Sequence, residues 1–197
     1  LYGAGKSETR LGLAIKDIPR DNYILASKVG RVLEPVADED SNESIFDNPL
    51  PFKPIFDFSY DGVMRSFEES LQRLGVDRID ILHIHDPDAH WEEAISCAYP
   101  TLEKLRGEGV ISAVSAGMNQ WEMLTRFARE GDFDCVLLAG RYSLLDQSAL
   151  DELLPLCVEK NIGIMAGGTY NSGILAKGAK PGATYNYGEA PIDIMQK

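Results

Sequence analysis

Positive charge is in short supply in this sequence: 19 lysines and arginines stand against 31 aspartates and glutamates, a formal net charge of −12 over 197 residues. Such a surface repels nucleic acid and anionic lipid, so neither is expected as a partner. Cysteine is equally scarce. Cys97, Cys135 and Cys157 stand at long, irregular spacings, which argues against a disulfide framework and a zinc site and leaves no metal ligand set to expect. All three are expected as buried thiols of a reducing compartment. No apolar run reaches bilayer-spanning length and no charged start leads into an apolar signal core, so the expected location is cytoplasmic. A Gly-x-Gly-x-x-Gly fingerprint is also missing, which disfavours the doubly wound dinucleotide fold.

What is present is the make-up of a globular chain, 44% hydrophobic and 25% charged, enough for one domain expected to run over 1–197. Acidic clusters such as Asp38-Glu39-Asp40 are expected as solvated surface.

Short apolar runs alternate with amphipathic ones. Tyr23–Val29, Ile79–Ile84, Val110–Val114, Cys135–Ala139 and Ile162–Ala166 predict strands. Between them Val63, Phe67, Leu71 and Leu74 recur at helical spacing, as do Leu102 with Leu105, and Met123, Leu124 and Phe127. Ser148 is the expected N-cap of a helix over Ala149–Lys160, stopped at Asn161, with Pro155 requiring a kink or a later start. The order predicts an α/β fold of repeated βα units, a parallel (β/α)8 TIM barrel of which about strands 3 to 7 are present, so that the chain is read as a fragment. Residues 31–57 interrupt the rhythm with Pro35, Pro49, Pro51 and Pro54 and no clear period, and predict a long loop on the substrate side. Beyond Leu175 the turn-rich stretch to Pro191 reads as the loop after the seventh strand.

Three predicted strand ends carry chemistry. Ile79 to Ile84 drives a buried strand into His85, Asp86 and Asp88, with Pro87 unable to continue a ladder. Lys28 ends a second strand, just before Gly30, and Tyr2 stands in Leu1-Tyr2-Gly3-Ala4-Gly5 ahead of a helix. In parallel α/β folds ligands collect at such ends. His83 and His85 share one strand face, one of them expected as a satisfied structural histidine; His85, nearer the end, is the candidate for chemistry. His90 is expected on the surface.

Tyr2, Lys28 and His85, together with Ser7-Glu8-Thr9-Arg10-Leu11-Gly12, Ser27-Lys28-Val29-Gly30, Gly117-Met118-Asn119-Gln120 and Ser172-Gly173-Ile174-Leu175, resemble the aldo-keto reductase superfamily in ordered series over nearly the whole chain. The strand-five and strand-seven segments look most like the D-threo-aldose 1-dehydrogenase branch (L-fucose or L-galactose dehydrogenases), and pyridoxal 4-dehydrogenase is similar in the same places.

The resemblance implies an NAD(P)-dependent oxidoreductase that oxidises an aldose at C1 to its lactone by hydride transfer to nicotinamide; pyridoxal oxidation, generic aldehyde or ketone reduction, and a noncatalytic nicotinamide-binding regulatory barrel are the alternatives. Tyr2 would exchange the hydroxyl proton, the Lys28 ammonium would favour the phenolate, and His85 would hold the substrate oxygen as a neutral donor. The family's fourth member, an Asp that holds the Lys, falls before residue 1, and the chain alone is expected to lack turnover. For NADP or NAD, the implied contacts are Asn119, Asn171, Ser172, Gly173 and Leu175, with backbone N–H groups of the last loop on the pyrophosphate. The usual Ser-Asn pair aligns with Gly117-Met118, the usual Gln with Ala139 and the usual stacking Tyr with Gly167; Tyr142 and Tyr170 are the rings that remain, either as a stacking surface or as core.

Overall fold

The computed structural model describes residues 1–36 and 50–197, so the expectation for Asp38-Glu39-Asp40 lies outside the described residues. The chain divides into two compact units, Leu1–Ser115 and Ala116–Lys197.

The first unit opens with helix α1 (Lys6–Ile15), followed by strand β1 (Ala26–Val29), an antiparallel ribbon of β2 (Arg31–Pro35) and β3 (Phe52–Phe56), helix α2 (Tyr60–Leu74) and strand β4 (Ile81–His85). A single turn α3 (Trp91–Glu93) and a π-helical turn (Ala94–Ala98) then lead into α4 (Tyr99–Gly107). β1 and β4 are parallel, with Lys28 opposite His83 and Val29 opposite Ile84. Helix α2 forms where the periodicity places it. The Ser59 hydroxyl accepts from the Gly62 N–H, Val63, Phe67 and Leu74 are buried, and Gly75 closes the helix in the left-handed conformation with its N–H on Leu71 and Gln72. Gly12 of α1 lies so near this helix end that a Cβ there would stand 2.2 Å from the Leu74 carbonyl oxygen. Arg20 and the Leu25 N–H both bind Asp80, which ties the entrance of β1 to that of β4.

Strand β5 (Ala113–Met118) bridges the division between the units. The second unit continues with α5 (Trp121–Glu130), β6 (Cys135–Ala139), α6 (Leu153–Glu159), β7 (Gly163–Gly167), α7 (Ile174–Lys177), a two-residue ribbon of β8 (Thr184–Tyr185) and β9 (Gly188–Glu189), and α8 (Ile192–Met195). β6 and β7 are parallel in the register Cys135 to Gly163. Leu124 and Phe127 of α5 and Leu153 of α6 are buried with Val136 and Leu138. The order helix, strand, helix, strand gives the α/β class, and the five long strands stand in the sequence order expected, β1, β4, β5, β6, β7.

Several expectations are corrected. The described ends of the segment 31–57 are not loop but pair as β2 and β3, because Val32 and Leu33 are buried while Pro35 and Pro54 fall at ribbon positions that need no ladder donor. The fifth strand begins at Ala113 rather than Val110, since the Val110 and Ile111 N–H groups close the end of α4 on Leu105. Ser148 caps no helix; its hydroxyl binds Asp146, and α6 takes the later start that Pro155 requires. Asn161 does stop that helix, at φ 57°. Cys97 is exposed, on the outer side of the π-helical turn, and only Cys157 is fully buried. The turn-rich tail contains the β8–β9 ribbon. Among the described residues no helix is long and apolar enough to cross a membrane.

Candidate active site

The first unit brings three sequence-predicted residues together. Tyr2 precedes α1 in a tight turn in which Gly3, Ala4 and Gly5 all have positive φ, and its carbonyl oxygen accepts from the Ser7 N–H. Lys28 stands on β1 and His85 is the last residue of β4. The Lys28 ammonium donates to the Tyr2 hydroxyl and lies 4.3 Å from the centre of its ring. The His85 ring meets the Tyr2 ring edge to face, with centroids 6.2 Å apart at 79°. Tyr2 is half exposed, so its phenol faces both the ammonium and solvent, whereas His85 is buried.

Two features hold this cluster in place. Glu8, buried in α1, accepts from the Ser27 hydroxyl at 2.6 Å and from Arg73 Nε at 2.7 Å. Burial pushes its carboxyl up, while the hydrogen bonds from Ser27 and Arg73 and the charge of Arg73 pull the other way. Gly30 turns the chain from β1 into β2 at φ 96°, where a Cβ would run into the Phe58 ring at 2.2 Å.

The two strand histidines have different surroundings. His83 is buried with Nδ1 2.7 Å from the Ser115 hydroxyl, and burial, with Lys28 and His85 nearby, lowers its pKa to about 4. It is a neutral core histidine. His85 also lies below its ordinary value, through burial first and the cations of Lys28 and Arg31 after it, with Asp86 acting the other way.

Sequence reasoning noticed Asp86 at the strand end but gave it no role, and missed Arg31. The carboxylate oxygen Oδ2 of Asp86 lies 3.1 Å from His85 Nε2 and 2.7 Å from Arg31 Nη2. Burial raises the Asp86 carboxyl, but the hydrogen bond from His85 and the charges of Arg31 and Lys28 prevail and hold it low. The neighbouring Asp88 is pushed up, chiefly by burial. Arg31 also stacks over Phe56 at 4.4 Å. Contrary to its expected surface place, His90 is half-buried, tilted against Phe56 and Phe58 at 4.8 and 5.5 Å. The signal for this cluster, Phe-x-Phe just after a proline-rich stretch, carries no period that assigns a partner.

The second unit holds the residues expected to meet a nucleotide. Asn119 and Asn171 converge on the end of β6: Asn119 Nδ2 donates to the Ala139 carbonyl at 3.0 Å and Asn171 Nδ2 to the Gly140 carbonyl at 3.1 Å. Asn171 is buried and its Oδ1 accepts no hydrogen bond among the described residues. Asn171, Ser172 and Gly173 follow one another at positive φ. The N–H groups of Asn171, Gly173 and Leu175 close this turn on Gly168 and Tyr170 and that of Ile174 on Asn171, so the turn offers the Ser172 hydroxyl, which itself accepts from the Tyr187 N–H, rather than a row of amides. Leu175 lines a cavity of about 490 Å³ together with Tyr142, Tyr170 and Thr169. Both tyrosines are exposed there rather than in the core. An orphaned buried amide oxygen, a free-standing hydroxyl donor and two exposed rings fit a planar, polar, phosphate-bearing ligand such as a nicotinamide nucleotide.

Over residues 1–194 the sequence matches the aldo/keto reductase family. The chain belongs to that family. It is 41% identical to a D-threo-aldose 1-dehydrogenase of a Pseudomonas species, over 100% of this chain and 61% of that protein. It is 36% identical to a pyridoxal 4-dehydrogenase of Microbacterium luteolum (100% and 63%) and 31% identical to an L-galactose dehydrogenase of Arabidopsis thaliana (91% and 52%). This aldo/keto reductase chain therefore spans between half and two thirds of the length of these relatives. Among solved structures, the holo form of an aldo-keto reductase from Bacillus halodurans superposes with a TM-score of 0.71 at 24% identity, over 96% of this chain and 57% of that one. That likeness carries the fold, the parallel α/β barrel type expected from the sequence.

Proposed function

We propose that the complete protein is an NAD(P)-dependent oxidoreductase that oxidises an aldose at C1 to its lactone. The observation that carries the reading is the Lys28 ammonium seated on the Tyr2 hydroxyl with His85 against the same ring. Removal of the sugar's anomeric hydroxyl proton is what the oxidation asks of the protein, and the Tyr2 oxygen, in contact with the Lys28 ammonium, stands where it can receive it. His85, neutral through burial, orients the substrate oxygen; Tyr2, half exposed, receives its proton. The hydride from C1 would pass to a nicotinamide nucleotide when one is bound, which is the redox chemistry that such a group would supply. Asn119, Asn171 and Ser172 would hold that nucleotide, with Gly173 shaping the turn and Leu175, Tyr142 and Tyr170 lining the cavity beside it. The aldose is favoured because the relative at 41% identity is a D-threo-aldose 1-dehydrogenase.

A second reading, oxidation of pyridoxal, draws on the relative at 36% identity. The test is nicotinamide absorbance in the complete protein with L-fucose, L-galactose, D-arabinose and pyridoxal, each with NAD and with NADP. Reduction of either nucleotide by an aldose alone is the expected result. Turnover of pyridoxal with silence from every aldose would replace it by the second reading.

A further inference from the structure

Arg31 stands at the strand end that carries the site and uses little of its hydrogen-bonding capacity. It opens β2 just after the Gly30 turn, and its charge is felt at His85. A guanidinium has five N–H donors. Among the described residues this one makes a single hydrogen bond, from Nη2 to Asp86, while Nε is buried without an acceptor. The group is nevertheless firmly held. Its central carbon lies 4.4 Å from the centre of the half-exposed Phe56 ring, Phe56 stacks on the buried Phe58 at 5.8 Å and 24°, and His90 closes on both rings. A planar donor fixed by stacking and by one carboxylate is preorganised for further oxygen acceptors. Its charge, however, is already answered: Asp86 is paired with it and Asp88 lies near enough to interact with it. An anionic ligand would have to lie against these carboxylates, whereas a neutral hydroxyl can take an unused N–H and leave the ion pair intact.

We propose that Arg31 is a specificity-determining residue: its unused guanidinium N–H groups donate to hydroxyl groups of the substrate away from C1, which selects a neutral, unphosphorylated aldose. The inference rests on the reading of the site as that of an aldose dehydrogenase and deepens it, by assigning a contact to the part of the sugar that does not react. In their pyranose forms L-fucose, L-galactose and D-arabinose carry the same hydroxyls at C2, C3 and C4 and differ only at C6. Pyridoxal, flat and aromatic, has no such run of neighbouring ring hydroxyls to offer the fork. A sugar phosphate would bring its charge towards Asp86 and Asp88.

The test is calorimetric binding of the three sugars, of their deoxy analogues at C2, C3 and C4, and of L-galactose 6-phosphate to the complete protein. Reduced nicotinamide nucleotide is present throughout, so that no oxidation proceeds. Arg31→Lys keeps a cation for Asp86 and loses the fork. It should weaken binding of the three sugars by about 10- to 100-fold, and in oxidation raise KM more than it lowers kcat. The deoxy analogue that lacks the contacted hydroxyl should bind the unaltered protein more weakly by a similar factor and be indifferent to the substitution. Phe56→Leu removes the stack beneath the guanidinium, should weaken the same sugars by a smaller factor, and carries the test if Arg31→Lys does not fold. Equal weakening of every analogue by either variant would mark a structural role and overturn the proposal. So would unchanged affinities in a cooperatively melting Arg31→Lys, tighter binding of L-galactose 6-phosphate than of L-galactose, or no binding of any of the three sugars. Aldose oxidation with unchanged affinity in Arg31→Lys would leave the proposed reaction standing without this inference; discriminating binding without oxidation would uphold the inference and count against the reaction.

Discussion

The Ser27 hydroxyl donates to Glu8 at 2.6 Å, which ties the strand residue beside Lys28 to the helix that follows Tyr2. The two elements that carry the phenol and the ammonium are thus joined one residue away from the ammonium itself. Because Glu8 is buried and also accepts from Arg73 Nε, Glu8→Ala removes the acceptor of two donors, Arg73 keeping only Glu69 and Ser70, and a loss of about 2 kcal/mol is expected in urea unfolding. Ser27→Ala removes only the hydrogen bond and should cost about 1 kcal/mol. If the two variants were equally stable, Glu8 would not be the tie described.

Acid should weaken the fold first through His83. Its pKa is about 4 in the folded chain against 6.5 as the ordinary value, so the unfolded chain binds the proton more readily between those limits. Stability is fully present above pH 6.5 and drains away as pH falls to about 4, by up to about 3 kcal/mol. The Asp80 carboxyl, held below its usual range by the Leu25 N–H and by Arg20, adds further loss as pH falls through its folded value. Chemical denaturation across this range should show the slope, and His83→Gln should flatten its upper part; a slope unchanged by that substitution would remove His83 from the account.

Two glycines should respond differently to alanine. At Gly12 the added Cβ meets the Leu74 backbone at 2.2 Å, so α1 and α2 must separate, at about 1 to 3 kcal/mol. At Gly75 the space is open and only the left-handed φ of 66° resists, so Gly75→Ala should cost about 1 kcal/mol and Gly75→Asn less. Thermal melts of the three variants check the order. Gly75→Asn more damaging than Gly75→Ala would mean that the cap conformation is not the source of the cost.

Lys28→Met keeps a chain of similar length on β1 but removes the charge from the Tyr2 oxygen. Loss of turnover by about 100-fold or more is expected, with the fold retained, as judged by circular dichroism and steady-state kinetics. Activity near that of the unaltered enzyme would deny the ammonium its role.

How far the sequence could be read depends on the range of the interactions concerned. Period and capping are local, so α2 with Ser59 and Gly75, and the strand Cys135–Ala139, stand where pattern and punctuation put them. Strand ends are decided by pairing, and Val110–Ile111 is drawn into the α4 terminus by Leu105, a contact that periodicity does not encode. The 31–57 ribbon was hidden because its strands alternate poorly and carry prolines, so only the register that sets Arg31 opposite Phe56 makes them a pair. In the site, Tyr2, Lys28 and His85 could be named from strand ends and motif order. Arg31 and Asp86 acquire their connection only when β2 passes the end of β4, and His90 finds Phe56 and Phe58 only in three dimensions.

The central claim is that Tyr2 exchanges the proton that accompanies hydride transfer. The direct measurement is single-turnover reduction of NAD or NADP by the best aldose in the complete protein and in Tyr2→Phe, with nucleotide binding followed separately by fluorescence. Tyr2→Phe should bind nucleotide as before and lose the chemical step by about 100-fold or more. A Tyr2→Phe protein that turns over at the rate of the unaltered enzyme would contradict the account.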